Sequence, residues 1–366
     1  ILHNTSAVLA PALKFAIENK KTVFFLTSRN TQHILAVETL KEVKKKFGLD
    51  IVAVDLIGKK GMCNQNSIEM LTSSEFVEYC KNLREKGTCK YYNNIKKNGK
   101  LAVEAGLLLD NLKEKSPDFV QDFCARCDDH CAYEMALVMS KKAHVLVADY
   151  NYALNPMIRK GLMLRMNKQL EDCIFIFDEA HNLPGRAREL LSAGVSTNVL
   201  GLAAKECKEF GYPEVAGNLD KIREGLLSFG KYLKGEKMLA KKDFSGLVES
   251  VCSYEDLIGS LSFISDVVLE KKKRSYALYV ANFLSSWVGP DDGFVRVFKR
   301  VYGKGNEFFK LEYKCLSPDL ALAEVISESY SFIGMSGTLN PLGMYVDLLG
   351  LRDCKLLEFP CPFPKE

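Results

Sequence analysis

The sequence predicts an α/β fold organised around a parallel β-sheet. The first observation is the run CIFIF at 173–177, which is uniformly apolar or weakly polar and leads directly into two carboxylates. Such unbroken runs are typical of strands covered on both faces, as they are in parallel sheets. The second observation is a helical period over 5–19 followed by the strand-like segment TVFFL at 22–26. The third is the strand-like segment HVLVA at 144–148.

The two carboxylates, Asp178 and Glu179, follow the predicted strand at its carboxyl end, where open α/β sheets bind their ligands. Two adjacent acids in that position can divide the work of phosphoryl transfer. One holds Mg²⁺ through its waters, and the next polarises the attacking water. Because the strand leads into the specific tetrapeptide DEAH at 178–181, this context favours a nucleotide-hydrolysing site over an acidic loop that happens to follow a core strand.

Length and composition set broader limits. The chain has 366 residues, 50 of them basic and 46 acidic, with a net charge of +4 and 12 cysteines. Domains cluster near ~100 to 200 residues, so two or three units are expected, and the small net charge is weak evidence for a polyanionic partner. No apolar run approaches the ~18 to 20 residues of a membrane span, and no signal peptide is recognisable. We therefore expect a cytoplasmic protein, or a nuclear one in a eukaryote, with reduced or metal-bound cysteines.

The strand-to-acid segment also resembles a known motif. The tetrapeptide DEAH at 178–181 is similar to motif II of superfamily 2 helicases, and the following Asn182 continues the form found in the XPD family. That family comprises ATP-dependent DNA helicases with an iron–sulfur cluster. The resemblance implies a RecA-like motor domain in which Asp178 binds Mg²⁺, Glu179 activates water, and His181 relays the state of the nucleotide.

Segment 1–57 is expected to form the first part of motor domain 1. Its polar loop TSRNT at 27–31 resembles motif Ia of the family, which implies that Arg29 and the neighbouring hydroxyls hold a DNA phosphate backbone. A solvated loop after a strand is the alternative, because phosphate contacts position a nucleic acid without a sharp sequence code.

A phosphate-binding loop, G-x-x-x-x-G-K-[ST], is expected just before the first helix, because its backbone N–H groups and lysine hold the phosphates. The residues before Thr5 contain neither glycine nor lysine. The segment TSAVL at 5–9 resembles the part that follows Gly-Lys in the family, which implies that Thr5 is the Mg²⁺-binding threonine of the ATP site. We therefore expect a fragment whose phosphate loop is either deleted or outside the chain.

Residues 58–139 are expected to form an insertion rich in cysteine, lysine and asparagine. It holds half of the 12 cysteines, at positions 63, 80, 89, 124, 127 and 131. Because this polar segment has few large aliphatic residues, a metal centre is expected to stabilise it. Spacing alone makes Cys124, Cys127 and Cys131 compatible with zinc, which accepts several thiolates.

The XPD resemblance points to a different set of cysteines and implies a [4Fe–4S] cluster, which takes four thiolates. The segments similar to the family's cluster-binding segments contain Cys63, Cys80, Cys89 and Cys131. Cys124 and Cys127 are not part of the family pattern, and they would be spare thiols or a weaker metal site. The resemblance also implies DNA contacts by Lys59, Lys60 and Tyr133. A core tyrosine is an equal alternative at position 133.

The chain then returns to the motor domain at 140–187 and leaves it again at 188–325. The second segment has helical periodicity and is expected to be a mainly helical insertion, which in the family is the arch domain. Its basic run at 271–274 is a candidate DNA-facing patch, but a solvated helix end is favoured. Aromatic residues at helical spacing in this segment are expected to be core: Tyr279, Phe283 and Trp287.

Segment 326–366 is expected to complete motor domain 1 and to begin a linker. The strand-like run at 331–335 leads into SGTL at 336–339, which resembles motif III of the family. The resemblance implies that the hydroxyls of Ser336 and Thr338 link the nucleotide site to DNA movement. A proline-rich segment follows at 359–364, and motor domain 2 is expected to lie outside the chain.

The complete prediction is the N-terminal part of an XPD-family helicase that uses ATP, Mg²⁺ and a [4Fe–4S] cluster. The family's activity would be translocation on single-stranded DNA from 5′ to 3′ and unwinding of forks in DNA repair, including nucleotide excision repair. Repair-complex proteins would be further partners, a monomer is expected, and the fragment alone is expected to be a poor ATPase. Two alternatives stay open: a DinG-like iron–sulfur helicase, and a non-catalytic nucleic-acid-binding module with a zinc centre.

Overall fold

The computed structural model describes residues 2–66, 68–97, 99–272, 274–303 and 307–359. Lys273 of the basic run and residues 360–364 of the proline-rich segment lie outside the described residues. Within the described ranges, no helix is both long and apolar enough to cross a membrane.

A five-stranded sheet forms the centre of the first unit, in the order β11-β6-β1-β5-β2. All of its pairings are parallel, which confirms the predicted α/β class. Its strands are β1 (Thr22–Thr27), β2 (Ala53–Leu56), β5 (Val145–Asp149), β6 (Cys173–Asp178) and β11 (Ser331–Met335). The strands predicted at 22–26, 144–148, 173–177 and 331–335 therefore exist within one residue of the predicted bounds at each end.

Helices cover both faces of this sheet, and the strand β1 shows why. Successive side chains of a strand point to opposite faces. Val23 and Phe25 belong to one core with residues of the first two helices, whereas Phe24 and Leu26 belong to a larger core on the other face. All four side chains are fully buried, as expected for a central parallel strand. The helices of this unit are α1 (Leu2–Asn19), α2 (His33–Phe47), α8 (Asn151–Leu154), α9 (Pro156–Met166), α10 (Leu183–Leu191), α16 (Asp319–Glu328) and α17 (Leu342–Leu349).

The cysteine-rich segment is helical and shares the core of the sheet. Its elements are α3 (Ser73–Glu85), α4 (Lys90–Asn93), β3 (Lys96–Lys97), β4 (Lys100–Leu101), α5 (Val103–Lys115), α6 (Val120–Cys127) and α7 (Ala132–Ser140). Ala105, Phe123 and Met135 pack into the same apolar core as the sheet residue Phe24. Helices α5 to α7 therefore bury apolar residues together with the sheet, although the segment has few large aliphatic residues. The region of α3 has a small separate core cluster, which consists of Ile68, Leu71 and Phe76.

A second unit separates β6 from β11. Its helices are α11 (Thr197–Glu209), α12 (Pro213–Gly230), α13 (Lys241–Glu249), α14 (Tyr254–Lys271) and α15 (Tyr276–Trp287). It also contains an antiparallel sheet in the order β7-β10-β9-β8, with β7 (Ala193–Ser196), β8 (Glu236–Leu239), β9 (Phe294–Tyr302) and β10 (Glu307–Cys315). The sequence interpretation missed these strands, although Phe309, Leu311 and Tyr313 alternate with charged residues in the pattern of a half-buried strand.

The aromatic residues of α15 are only partly core. Trp287 and Phe283 are buried as predicted, but Tyr279 is 52% exposed. A spacing of four residues advances about 40° beyond a full helical turn. Two such steps carry Tyr279 off the buried face of the helix that Trp287 occupies.

Glu312 on β10 is held by three lysines at once. Its carboxylate lies 2.8 Å from Lys299 Nζ, 2.7 Å from Lys310 Nζ and 3.0 Å from Lys314 Nζ. Burial opposes ionisation of this carboxyl, but the three ammonium groups prevail and lower its pKa to about 2. The folded chain therefore favours the ionised form more strongly than the unfolded chain does.

We predict that Glu312→Gln lowers the free energy of unfolding at neutral pH by about 2 kcal/mol, the scale of hydrogen bonds to a charged group. Because the pKa of Glu312 is lower in the folded state, its contribution is present above its ordinary value of 4.5 and is lost as the pH falls toward 2. Denaturant titrations of variant and wild type should therefore converge at acid pH. Glu307→Gln, which breaks the pair of the exposed Glu307 with Arg300, is the control and should cost less than about 1 kcal/mol.

Candidate functional site

Parallel pairing of β6 with β11 brings two distant polar segments to the same edge of the sheet. Asp178 is the last residue of β6 and pairs with Met335, the last residue of β11. Glu179 and Ser336 therefore leave adjacent strand ends side by side. This edge is the carboxyl end of the strands, where parallel sheets bind ligands.

The side chains at this edge form one hydrogen-bonded group. Ser336 Oγ donates to Glu179 Oε2 at 3.0 Å, and His181 Nδ1 lies 2.8 Å from Ser336 Oγ and 3.2 Å from the same carboxylate oxygen. Thr338 Oγ1 is 3.3 Å from Ser336 Oγ, and the Thr338 N–H donates to that hydroxyl at 3.2 Å. The structure thus brings together four of the predicted residues, and a carboxylate oriented in this way can accept a proton from water.

Asp178 differs from its neighbour in burial and backbone. Its residue is 8% exposed, and burial followed by the nearby Glu179 carboxylate raises the pKa of Asp178 to about 6. Glu179 has a left-handed backbone, with φ 52° and ψ 45°. The Glu179 N–H donates to Asp178 Oδ1 at 3.0 Å. The turn therefore separates the two carboxyl groups: one stays at the strand end, and the other points toward Ser336.

Thr5 and Arg29 occupy different environments. Thr5 is buried, at 1% exposure, on α1, which packs against β1 and β6. Arg29 is exposed in the loop after β1, where Ser28 Oγ and the Arg29 N–H both donate to Gln32 Oε1, at 3.1 and 3.2 Å. The loop is therefore ordered by its own hydrogen bonds, while the guanidinium remains accessible.

Four of the cysteines line one small cavity in the cysteine-rich segment. They are Cys63, Cys80, Cys89 and Cys131, which come from four separate stretches of chain. The cavity volume is about 30 Å³, enough for a body of the size of a water molecule. This is the set that the family resemblance implied. The number and type of donors fit a metal centre held by four thiolates.

Cys124 and Cys127 do not line this cavity. Cys127 is fully buried in the main apolar core, and Cys124 packs against that core. Burial raises the pKa of the Cys124 thiol to about 11 and that of the Cys127 thiol to about 12, so both behave as small apolar groups. The local spacing of Cys124, Cys127 and Cys131 therefore does not correspond to a shared cavity.

Within the described ranges, no group of three or more histidine, cysteine, aspartate or glutamate side chains is arranged to hold a metal ion. Burial raises the pKa of the Cys63, Cys80 and Cys131 thiols, which favours their protonated forms. A bound cation would have to displace these protons and draw the sulfur atoms together.

The predicted DNA-contact residues of this segment have different surroundings. Lys59 lines the cysteine cavity with its Nζ 5.4 Å from the centre of the Tyr133 ring, so this pair forms one wall. Lys60 instead donates to the carbonyls of Glu69, at 3.1 Å, and Leu71, at 2.5 Å. Its ammonium is therefore used to hold the loop before α3.

Sequence reasoning missed two polar connections beside these sites. The Tyr150 hydroxyl donates to the carbonyl of Asp178, and a lone tyrosine after a strand has no sequence signal for that contact. His33 Nδ1 lies 2.5 Å from Asp55 Oδ1 in the interior, and the other carboxylate oxygen accepts from the Val120 N–H at 3.1 Å. The aspartate within the apolar run IVAVDLI at 51–57 was the one available signal, because buried carboxylates need partners.

The chain is similar to known proteins in sequence and in fold. Residues 26–200 match the DEAD_2 family. The chain is 28% identical over 192 residues to a regulator of telomere elongation helicase 1 homolog of Caenorhabditis briggsae, covering 51% of this chain and 18% of that protein. It is 24% identical over 376 residues to the general transcription and DNA repair factor IIH helicase subunit XPD of Dictyostelium discoideum, covering 82% of this chain and 47% of that protein. The chain thus spans less than half the length of these relatives.

Solved structures show the same fold. An XPD helicase structure superimposes with a TM-score of 0.59 at 20% identity, over 93% of this chain and 55% of the other. A truncated XPD structure superimposes with a TM-score of 0.54 at 18% identity, over 91% of this chain and 85% of the other. Over residues 26–200 the chain is therefore similar to the DEAD_2 family, and the relatives that it resembles are named helicases. Its fold is similar to that of the two XPD structures.

Proposed function

We propose that this chain forms motor domain 1 of an ATP-dependent DNA helicase. The observation that carries the proposal is the contact of Glu179 with Ser336 and His181 at the carboxyl edge of the parallel sheet. A general base must be oriented by neighbours before it can accept the proton of an attacking water. The names of the curated relatives, which are helicases of telomere and repair systems, support the same class.

In this proposal the acids have separate roles. Asp178 and Thr5 would hold Mg²⁺ in the family's manner. The metal neutralises charge on the phosphates when it is bound. Glu179 accepts the proton of the attacking water, and the Ser336 hydroxyl holds its carboxylate in place. His181 and Thr338 contact the same hydroxyl, so a change at the nucleotide can reach both segments.

The DNA part of the proposal uses the exposed Arg29 and the wall formed by Lys59 and Tyr133. From the named relatives we extend the proposal to three further properties. These are translocation from 5′ to 3′, unwinding in repair and association with repair-complex proteins. The assignment of 58–139 to a cluster domain and of 188–325 to an arch is part of the same proposal. The finding that Lys60 is bound to two carbonyls makes it the weakest of the proposed DNA contacts.

We also propose that Cys63, Cys80, Cys89 and Cys131 hold an iron–sulfur cluster. The support is their common cavity together with the family resemblance. Such a cluster would tie together the two ends of the insertion, since Cys63 stands near its beginning and Cys131 near its return to the sheet. A single zinc ion is the competing occupant.

Hydrolysis of ATP by the complete protein on single-stranded DNA tests the first proposal. Glu179→Gln should lower turnover by about 10² to 10⁴, the contribution typical of general base catalysis. Glu189→Gln is the matched control, because that carboxylate is exposed on α10 and pairs with Arg186. Equal rates for wild type and Glu179→Gln, or no hydrolysis by the wild type, would contradict the assignment.

The cluster proposal predicts a visible absorption band and about four irons per chain. Serine at Cys63, Cys80, Cys89 or Cys131 should remove the band, because each change deletes one ligand. The double variant Cys124→Ser/Cys127→Ser is the control and should keep both colour and iron. A colourless protein with one zinc per chain would show that zinc, and not a cluster, occupies the site. Loss of colour in the control variant alone would reverse the cysteine assignment.

Single-stranded DNA should bind with an affinity that falls steeply as salt increases, because phosphate neutralisation releases counterions. Arg29→Ala should reduce the slope of log affinity against log salt by about 0.7, the value for one contact to a single strand. Lys14→Ala is the control, since Lys14 is an exposed lysine on α1 paired with Glu18. An unchanged slope for Arg29→Ala would show that Arg29 does not contact the DNA phosphates.

A further inference from the structure

Glu179 has a backbone conformation that its own sequence does not favour. Residues with a side chain avoid positive φ, and a non-glycine residue held there costs about 1 to 3 kcal/mol. Such a conformation persists only where the surrounding structure determines it. The left-handed turn at Glu179, with φ 52°, therefore needs contacts that hold the peptide groups on either side of it.

One side of the turn is held within the turn itself. The Asn182 N–H donates to the Glu179 carbonyl at 2.9 Å, and the Asn182 side chain donates to the same oxygen at 3.3 Å. The Glu179 N–H donates to Asp178 Oδ1. None of these bonds involves the carbonyl of Asp178, which precedes the turn.

The carbonyl of Asp178 accepts a hydrogen bond from the Tyr150 hydroxyl. The parallel pairing of β6 with β1 ends at Phe177, one residue before Asp178. The Tyr150 hydroxyl supplies a hydrogen bond at the point where that pairing stops. Tyr150 is 3% exposed, so the bond is shielded from water and has no solvent substitute.

Tyr150 is itself fixed on two sides. Its backbone N–H donates to the carbonyl of Thr27 at 3.2 Å, and its ring packs edge-on against Phe177 with the ring centres 5.5 Å apart. Thr27 is the last residue of β1, and its hydroxyl donates to the carbonyl of Arg29 at 3.0 Å. The tyrosine thus joins the end of β1, and the loop that carries Arg29, to the carbonyl that precedes Glu179.

We propose that Tyr150 is a positioning residue, whose hydroxyl holds the Asp178 carbonyl so that Glu179 keeps the left-handed turn that directs its carboxylate to Ser336. This inference deepens the proposed function and rests on it for the catalytic consequence. The structural consequence, a turn held by a buried hydroxyl, does not depend on ATP hydrolysis.

The test is Tyr150→Phe, which removes the hydroxyl and keeps the ring. Tyr254→Phe is the matched control, because the Tyr254 hydroxyl is also buried and donates to a backbone carbonyl, that of Leu284, at 2.8 Å in the second unit. Both variants leave one buried carbonyl without its donor, so both should lose similar thermal stability. If the Tyr150 hydroxyl contributed only to overall stability, the turn at Glu179 would therefore behave the same way in both variants.

Amide hydrogen exchange over 178–183 is the first measurement, and it needs no nucleotide. Tyr150→Phe should exchange at least about tenfold faster there than wild type, since local opening becomes easier when the turn loses a fixed partner. Tyr254→Phe should match wild type in this segment. Unchanged exchange in Tyr150→Phe, or the same acceleration in Tyr254→Phe, would overturn the positioning role.

Steady-state ATP hydrolysis by the complete protein is the second measurement. Tyr150→Phe should lower kcat about tenfold with KM for ATP unchanged, because a displaced carboxylate weakens only the chemical step. An increase in KM with normal kcat would overturn the catalytic consequence. If the wild type shows no hydrolysis, the proposed function fails, whereas faster exchange in Tyr150→Phe would still establish that the hydroxyl holds the turn.

Discussion

Pairing of the strand ends of β6 and β11 is the contact on which the rest of the site depends. It places Glu179 Oε2 3.0 Å from Ser336 Oγ, although the two residues are 157 positions apart. The intervening chain has an apolar core of its own, centred on residues such as Trp287 and Phe298. Because the entropic cost of closing a loop grows only slowly with length, a folded insertion of this size is compatible with precise strand pairing.

The cysteine-rich segment is connected to the sheet in a different way. Its later helices share the apolar core of the sheet, and polar contacts tie its middle to α2. Lys44 donates to the carbonyls of Glu114 and Ser116, and the buried pair of His33 and Asp55 reaches the N–H of Val120 at the start of α6. A displacement of this segment would therefore disturb the helix that follows the Arg29 loop.

Many positive charges of the chain serve the fold, which explains why the net charge says little about partners. Lys60 holds two backbone carbonyls, and the three lysines around Glu312 satisfy one carboxylate. Ammonium groups engaged in this way contribute less to phosphate binding, because their donors are already used. Arg29 remains exposed, and only the folded arrangement separates it from the structural cations.

The sequence by itself determined the parallel sheet and the acids at its edge, because unbroken apolar runs and the polar residues that end them are local features. It also indicated Cys63, Cys80, Cys89 and Cys131, because the short segments around them resemble those of the XPD family. Four strands of the second unit, the exposure of Tyr279 and the core shared by the cysteine-rich helices were decided by tertiary packing. The same holds for Tyr150, His33 and Lys60, whose partners lie far away in the chain or on backbone carbonyls. No local pattern specifies such contacts, since they exist only after the strands have paired and the helices have docked.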